Sequence, residues 1–136
     1  MNVFTYGSLM FPDVWTGVVR GDYRACDATI HGFRRARVRD KEHPALIVSA
    51  NAAPIVGRLY FGVGATDLAR LDHFETVNYV RVAIAATVAD RAVSAQAYLA
   101  LNLDSLLNND WSATEFEQHG LPLFLATYAV LNAPPD

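Results

Sequence analysis

The feature that most constrains the fold is a period-two alternation of apolar residues, which recurs in short segments along most of the chain. It is visible in residues 28–39, 55–63, 79–88 and 93–101, with a compact apolar run at 45–48. Alternation of this kind is typical of strands whose two faces meet different surroundings. The segments are joined mostly by short connections and not by regularly spaced helices. The pattern therefore predicts an α+β fold with a small, mixed, largely antiparallel sheet that curls or closes into a barrel, together with a few short helices.

Interruptions of the alternation predict two short helices and one bulge. An N-terminal strand at 3–6 is followed by Pro12, which suits the first turn of a helix. A three-residue apolar period at 66–74 indicates a second helix, which Thr66 is placed to cap. Gly32 lies inside the first alternating segment and is interpreted as a bulge within one continuous strand.

The C-terminal part of the chain predicts helix. Ser112 and Glu115 have the spacing of a capping box, in which the serine side chain satisfies a backbone N–H three residues later. Gly120 and Pro122 are predicted to break this helix, and residues 123–131 are predicted to form a last one.

Composition and charge narrow the class of protein. The 136 residues are 52% hydrophobic and 18% charged, and no repeat or linker divides them, so residues 1–136 are predicted to form a single domain. The net charge of −3 argues against a nucleic-acid partner. The one arginine-rich run, 34–39, is interpreted as a solvated face of an extended segment, with Arg35, Arg37 and Arg39 pointing outward.

Neither a metal nor another cofactor is predicted. The four histidines lack metal-ligand spacing, and no nucleotide-binding or nucleophile motif is present. The single cysteine, Cys26, has no partner for an intrachain disulfide, which favours a reducing compartment. The first residues do not read as a signal peptide, and no apolar run approaches the roughly 20 residues of a membrane helix. We therefore expect a cytoplasmic protein without membrane association.

The first candidate site is the stretch Thr5 to Met10, with sequence TYGSLM. A strand that ends in Tyr-Gly-Ser and turns into a helix leaves backbone N–H groups unpaired, and Gly7 allows a ligand to approach the main chain closely. Such a loop suits a carboxylate or an oxyanion. The same three residues also form ordinary turns, so the stretch by itself leaves both interpretations open.

The second candidate is Glu75, which follows the apolar stripe of the helix at 66–74. A carboxylate at the seam between helix and strand is expected to be partly desolvated, which raises its pKa toward the range useful for proton transfer. The alternative interpretation is a solvated acid at the helix end, or an ion-pair partner of Arg81. Periodicity alone does not decide between these interpretations.

Taken together, these segments resemble the gamma-glutamylcyclotransferase-like family. The resemblance rests on the order and spacing of four blocks, of which the last has two parts: Tyr6–Leu9, His43–Val48, Val56–Tyr60, and Leu71–Glu75 followed by Tyr79–Arg81. It covers nearly the whole chain. No single block is specific, but the combination is fairly specific for the fold.

The resemblance implies a barrel-like sheet with a cavity that contains the strand-end loop and one acidic residue. By position, Glu75 is implied to be the catalytic acid/base. The residues implied to bind substrate are Tyr6, Gly7, Ser8 and Leu9, which would grip its glutamyl end, and Tyr79 and Tyr98, which would line the cavity. Related chains often have glycine where this one has Thr76, a difference that bears on the local turn and on the competence of the site.

The implied substrate is a small γ-glutamyl amide, whose own α-amine attacks the γ-carbonyl to give 5-oxoproline and a free amine. Nucleophile and electrophile are tethered in one molecule, so one carboxylate that moves a proton is sufficient and no cofactor is needed. The leaving amine stays open between an amino acid, a lysine side chain, a polyamine and a peptide. Two alternatives are a binding or regulatory module for a glutamyl-like metabolite, and an enzyme whose γ-glutamyl group sits on a larger carrier. The sequence predicts no oligomeric state.

Overall fold

A computed structural model describes residues 1–39, 44–75, 79–101 and 106–132. The strands are β1 Val3–Thr5, β2 Ala25–Ile30, β3 Phe33–Val38, β4 Pro44–Val48, β5 Ile55–Tyr60, β6 Tyr79–Val88, β7 Arg91–Ala100 and β8 Leu106–Asp110. The helices are α1 Pro12–Val18, α2 Ala65–Glu75, α3 Ala113–Glu115 and α4 Leu121–Asn132, with a 3₁₀ turn at Ser8–Met10 and a π-helical segment at Phe116–Gly120. Within these residues, no helix is both long and apolar enough to cross a membrane.

Five strands close into a barrel in the order β1-β5-β2-β6-β7. β1 runs antiparallel to β5, and the barrel closes where Val3 of β1 lies beside Gln96 of β7 in a parallel pair. The long hairpin of β6 and β7 turns through Ala89 and Asp90, both with positive φ. The predicted α+β class, with a mixed and largely antiparallel sheet that closes into a barrel, is confirmed.

A second sheet has the order β4-β3-β8. The prediction of one continuous strand over 28–39 is wrong, because Gly32 is a corner between two sheets and not a bulge within one strand. Its φ of +84° lies in the left-handed region that glycine adopts without strain, and the chain passes there from the barrel into the second sheet. β8 was not predicted; its sequence, LLNND, does not alternate.

Alternate residues of the same barrel strands belong to two different apolar clusters. Phe4 and Leu59 are in one, and their neighbours Val3 and Tyr60 are in the other. The second cluster also contains residues of α1 and α2, so it lies outside the barrel and the first lies inside. Trp15 of α1 fixes the helix against the barrel by stacking on Tyr60, with ring centroids 3.6 Å apart.

The start of α2 is held by a buried carboxylate. Asp67 accepts hydrogen bonds from the backbone N–H groups of Arg20 and Gly21, at 2.9 Å each, and from the hydroxyl of Tyr23 at 2.6 Å. The helix begins at Ala65, so the predicted cap Thr66 lies within its first turn. This network ties α2 to the segment after α1.

The C-terminal helical region is longer than the sequence predicts. The side chain of Ser112 accepts a hydrogen bond from the N–H of Glu115, which confirms the cap. The predicted break at Gly120 and Pro122 is wrong, because the π-helical segment leads directly into α4. Pro122 is the second residue of α4, where the helical hydrogen-bond pattern changes from the π form to the α form, so the N–H that proline lacks falls at this change.

Candidate active site

The loop that follows β1 is buried from Tyr6 to Leu9. In its 3₁₀ turn, the N–H groups of Met10 and Phe11 donate to the carbonyls of Gly7 and Ser8. In the described part of the chain, no acceptor is found for the N–H groups of Gly7, Ser8 and Leu9. Buried N–H groups are nearly always paired in proteins, so these three are suited to an anionic ligand.

Glycine is required at position 7 by close packing. A Cβ atom built there would lie 2.7 Å from both Cγ and Cδ of Pro44, the first residue of β4. The φ of Gly7 is −131°, which other residues also adopt, so the requirement is steric and not conformational. Pro44 therefore fixes the position of the loop from outside β1.

Tyr6 is held at both ends. Its hydroxyl donates to the carbonyl of Tyr98 at 2.6 Å, and its own carbonyl accepts from Nη1 of Arg35 at 3.0 Å. The pKa of the Tyr6 hydroxyl is well above its usual value, first because of burial and then because of the charge of Glu75. Tyr6 is thus fixed through its backbone to Arg35 and through its hydroxyl to β7.

Glu75 is the last residue of α2, at the junction with β6 that the sequence predicts. Although the residue keeps some exposed surface, burial of its carboxyl raises its pKa to about 8. The interpretation as a partner of Arg81 is wrong, because that guanidinium pairs with Asp72 at 2.9 Å. Glu75 is a desolvated carboxyl group that can exchange a proton near neutral pH.

The charge of Glu75 also acts on two further tyrosines. Burial, followed by the charge of Glu75, raises the pKa of the Tyr79 hydroxyl. The pKa of the Tyr98 hydroxyl is also raised, chiefly by burial and by its hydrogen bond to Asp72, with a smaller contribution from Glu75. The structure therefore brings Glu75 together with Tyr6, Tyr79 and Tyr98.

Each of these two tyrosines is fixed by a hydrogen bond of its hydroxyl. Tyr98 donates to Oδ1 of Asp72 at 2.7 Å, and Tyr79 donates to the carbonyl of Pro44 at 3.1 Å. The role of Asp72 escaped the sequence analysis, although it lies three residues before Glu75 on the same helix. Thr76 and His43, named in that analysis, lie outside the described residues.

The interpretation of the arginine run as a solvated face is wrong for Arg35. Besides its hydrogen bond to Tyr6, the Arg35 guanidinium lies 5.0 Å from the centre of the Trp111 ring. Burial lowers its pKa from the usual value, an effect that the charge of Asp110 partly offsets. A cation therefore lies directly behind the strand-end loop. Among the described residues, no three His, Cys, Asp or Glu side chains are grouped as metal ligands.

The comparison with known proteins agrees with this architecture. A family model described as "Gamma-glutamyl cyclotransferase, AIG2-like" matches residues 3–113, from β1 to the start of α3. The chain belongs to this family. The resemblance noted in the sequence is thereby confirmed, and the family match includes the strand-end loop and Glu75.

Known proteins that match this chain are distant in sequence, and the solved ones are similar in fold. AIG2-like protein D of Arabidopsis thaliana is 30% identical over 128 residues, covering 91% of this chain and 84% of that protein. A solution structure of an Arabidopsis thaliana protein has a TM-score of 0.71 at 24% identity, covering 96% of this chain and 80% of the other. A solved structure named gamma-glutamyl cyclotransferase has a TM-score of 0.66 at 15% identity, covering 100% of this chain and 89% of the other. At identities below 25%, these structural matches show a shared fold and nothing more.

Proposed function

We propose that the protein is an enzyme that cyclises a small γ-glutamyl amide to 5-oxoproline and releases the free amine, with Glu75 as the acid/base. The observation that carries this proposal is the carboxyl of Glu75, whose pKa burial raises to about 8, beside three fixed tyrosines. An ordinary surface glutamate would be fully ionised near neutral pH and a weak base. One with a pKa near 8 can both take and return a proton.

The reaction needs one proton to move between two nitrogen atoms. The neutral α-amine of the substrate attacks its γ-carbonyl carbon, and a C–N bond forms that closes the five-membered ring. Ionised Glu75 takes the proton that the attacking nitrogen loses. Protonated Glu75 then delivers it to the leaving nitrogen as the original C–N bond breaks, so that the carboxylate is regenerated. Positioned proton transfer of this kind contributes typically about 10²–10⁴-fold.

The amides of Gly7, Ser8 and Leu9, which have no acceptor among the described residues, supply the anion-binding part of the proposed site. Fixed N–H dipoles in a buried loop can hold a negative group of the substrate without reorganising. Tyr6, Tyr79 and Tyr98 would line the space between this loop and Glu75. Because each of these hydroxyls is already bonded within the protein, they would shape the cavity and keep water away from the carboxyl.

The test is release of 5-oxoproline from a panel of γ-glutamyl amino acids, γ-glutamyl-ε-lysine, γ-glutamyl polyamines and γ-glutamyl peptides. The wild type should turn over at least one member, and Glu75→Gln should lower kcat at least about 10²-fold while circular dichroism shows an unchanged fold. Glu117→Gln, at an exposed position of the π-helical segment, is the matched control and should stay active. Substantial turnover by folded Glu75→Gln would refute the role of Glu75. Binding without turnover by the wild type would favour a regulatory module.

A further inference from the structure

We propose that Arg35 is a positioning residue for substrate recognition, which holds the Tyr6–Gly7 peptide so that the loop amides bind the α-carboxylate of the substrate. The inference rests on the proposed function, because it names the group that these amides hold. It assigns a role to a residue that the periodicity of the sequence places on a solvated face.

The first step concerns the geometry of one peptide unit. Nη1 of Arg35 donates to the carbonyl of Tyr6, and the N–H of Gly7 belongs to the same planar trans peptide. The carbonyl and the N–H of such a unit point in opposite directions, so the N–H of Gly7 points away from Arg35. A cation on the carbonyl also polarises the peptide and makes its N–H a stronger donor to an anion.

The second step concerns the rigidity of the cation. The Arg35 guanidinium lies 5.0 Å from the centre of the Trp111 ring, and the backbone N–H of Trp111 donates to the backbone carbonyl of Arg35 at 3.0 Å. Both the backbone and the guanidinium are thus fixed, and no carboxylate is found in contact with this guanidinium among the described residues. The carboxylate that influences Arg35 electrostatically, Asp110, is paired with Arg34 at 2.7 Å, so the Arg35 guanidinium can also act on an anion bound in the loop.

The third step concerns which anion. Arg35 contacts the carbonyl end of Tyr6, whereas Glu75 acts on the hydroxyl end, which is bonded to Tyr98. The γ-carbonyl must lie beside the acid/base group, and the oxyanion that forms during attack lies there too. In the ring-closing conformation the α-carboxylate and the γ-carbonyl lie on either side of the attacking nitrogen, and the α-carboxylate is the permanent anion of the two. Arg35 is at the end of the site that this carboxylate would occupy.

The experiment compares Arg35→Met, Arg35→Lys and the control Arg37→Met. Arg37 lies two residues along the same strand and lines a surface cleft with Trp111 and His119. For each variant, KM and kcat are measured on the best substrate of the panel. Binding is measured separately by NMR titration with 5-oxoproline, which carries the carboxylate, and with 2-pyrrolidone, which is the same ring without it.

We expect Arg35→Met to raise KM and weaken 5-oxoproline binding by about 10- to 100-fold, the loss typical of a charge-assisted contact, with kcat changed by less than about 3-fold. Binding of 2-pyrrolidone should not change. Arg35→Lys should recover most of the loss, and Arg37→Met should resemble the wild type. Arg35→Gln replaces Arg35→Met if the latter does not fold.

The inference is overturned if KM and 5-oxoproline binding are unchanged, if kcat falls with KM intact, or if both ring ligands lose affinity equally. Failure of the proposed function gives a different result. If the wild type is silent on every substrate but binds 5-oxoproline through Arg35, the reaction is refuted and the role of Arg35 stands. If it neither turns over the panel nor binds 5-oxoproline, both are refuted.

Discussion

At the scale of single residues, one steric contact limits which residue can stand at position 7 of the loop after β1. Gly7→Ala would place Cβ 2.7 Å from two ring carbons of Pro44, closer than side-chain carbons approach one another. We expect it to lower the free energy of unfolding by about 1–3 kcal/mol, the range for overpacking, and to weaken binding of 5-oxoproline because the loop amides shift. Urea denaturation and the binding titration measure the two effects.

The control for this substitution is the double mutant. Pro44→Ala removes the atoms that the new methyl group meets. The double mutant Gly7→Ala/Pro44→Ala should therefore lose less unfolding free energy than the sum of the losses in the two single mutants. A coupling of about 0.5–3 kcal/mol is expected for residues in direct contact. Additive losses would mean that glycine is needed at position 7 for another reason.

At the scale of secondary-structure elements, α2 carries Glu75 at its end and is anchored at its start by Asp67. Burial disfavours the charge of Asp67, but hydrogen bonds from Tyr23, from the Arg20 and Gly21 amides and from Arg70 outweigh it and hold its pKa well below the usual range. Asp67→Asn should therefore cost roughly 1.5–3 kcal/mol at pH 7, measured by urea denaturation.

The pH dependence of that loss has a definite sign. A carboxyl group with a depressed pKa stabilises the fold fully when the pH is above the ordinary pKa of 3.8. This contribution is lost as the pH falls below 3.8 toward the folded-state pKa. The difference between wild type and Asp67→Asn should therefore narrow from pH 5 to pH 3. Asp27→Asn removes an 81% exposed partner of Arg58 and should cost less than about 1 kcal/mol. Equal losses in the two variants would contradict the anchoring role.

A comparison of the strands with the apolar alternation shows which parts of the fold could be predicted from the sequence. The alternation identified β5, β6 and β7, because each has one face inside the barrel and the other outside. It could not show that Gly32 is a corner, since β2 and β3 alternate in the same way whether they share a sheet or not. Arg35 was misassigned for the same reason: period two gives the side of a strand on which a residue lies, but not whether tertiary packing covers that side.

At the scale of the whole molecule, the candidate site is made by segments far apart in sequence. The loop after β1, the end of α2, β3 and β7 meet around Tyr6, which contacts Arg35 and Tyr98 and is influenced by Glu75. Proximity along the chain predicts none of these contacts. Turn composition and periodicity offered the loop at 5–10 and Glu75 as candidates but left their roles open; the resemblance to the family implied those roles and added Tyr79 and Tyr98.

The charge of Glu75 should make the stability of the whole protein depend on pH. Its folded-state pKa of about 8 lies above the ordinary value of 4.5, so between these limits the folded protein keeps a proton that the unfolded chain releases. Stability contributed at this position therefore falls as the pH rises from about 4.5 to about 8, and is constant above that. Glutamine does not ionise, so in Glu75→Gln the stability contributed at this position should not decrease as the pH rises.

We therefore expect the free energy of unfolding of Glu75→Gln, relative to wild type, to rise by a few kcal/mol between pH 5 and pH 8.5, since each pKa unit corresponds to about 1.4 kcal/mol. The wild-type kcat/KM should increase over the same range, because only ionised Glu75 accepts a proton. Urea denaturation and initial rates at matched ionic strength test the two expectations, with Glu117→Gln as the control whose stability should follow the wild type. A difference between Glu75→Gln and wild type that does not change with pH would mean that Glu75 is ionised and solvated in the folded protein, and would remove the physical basis for its role as the acid/base.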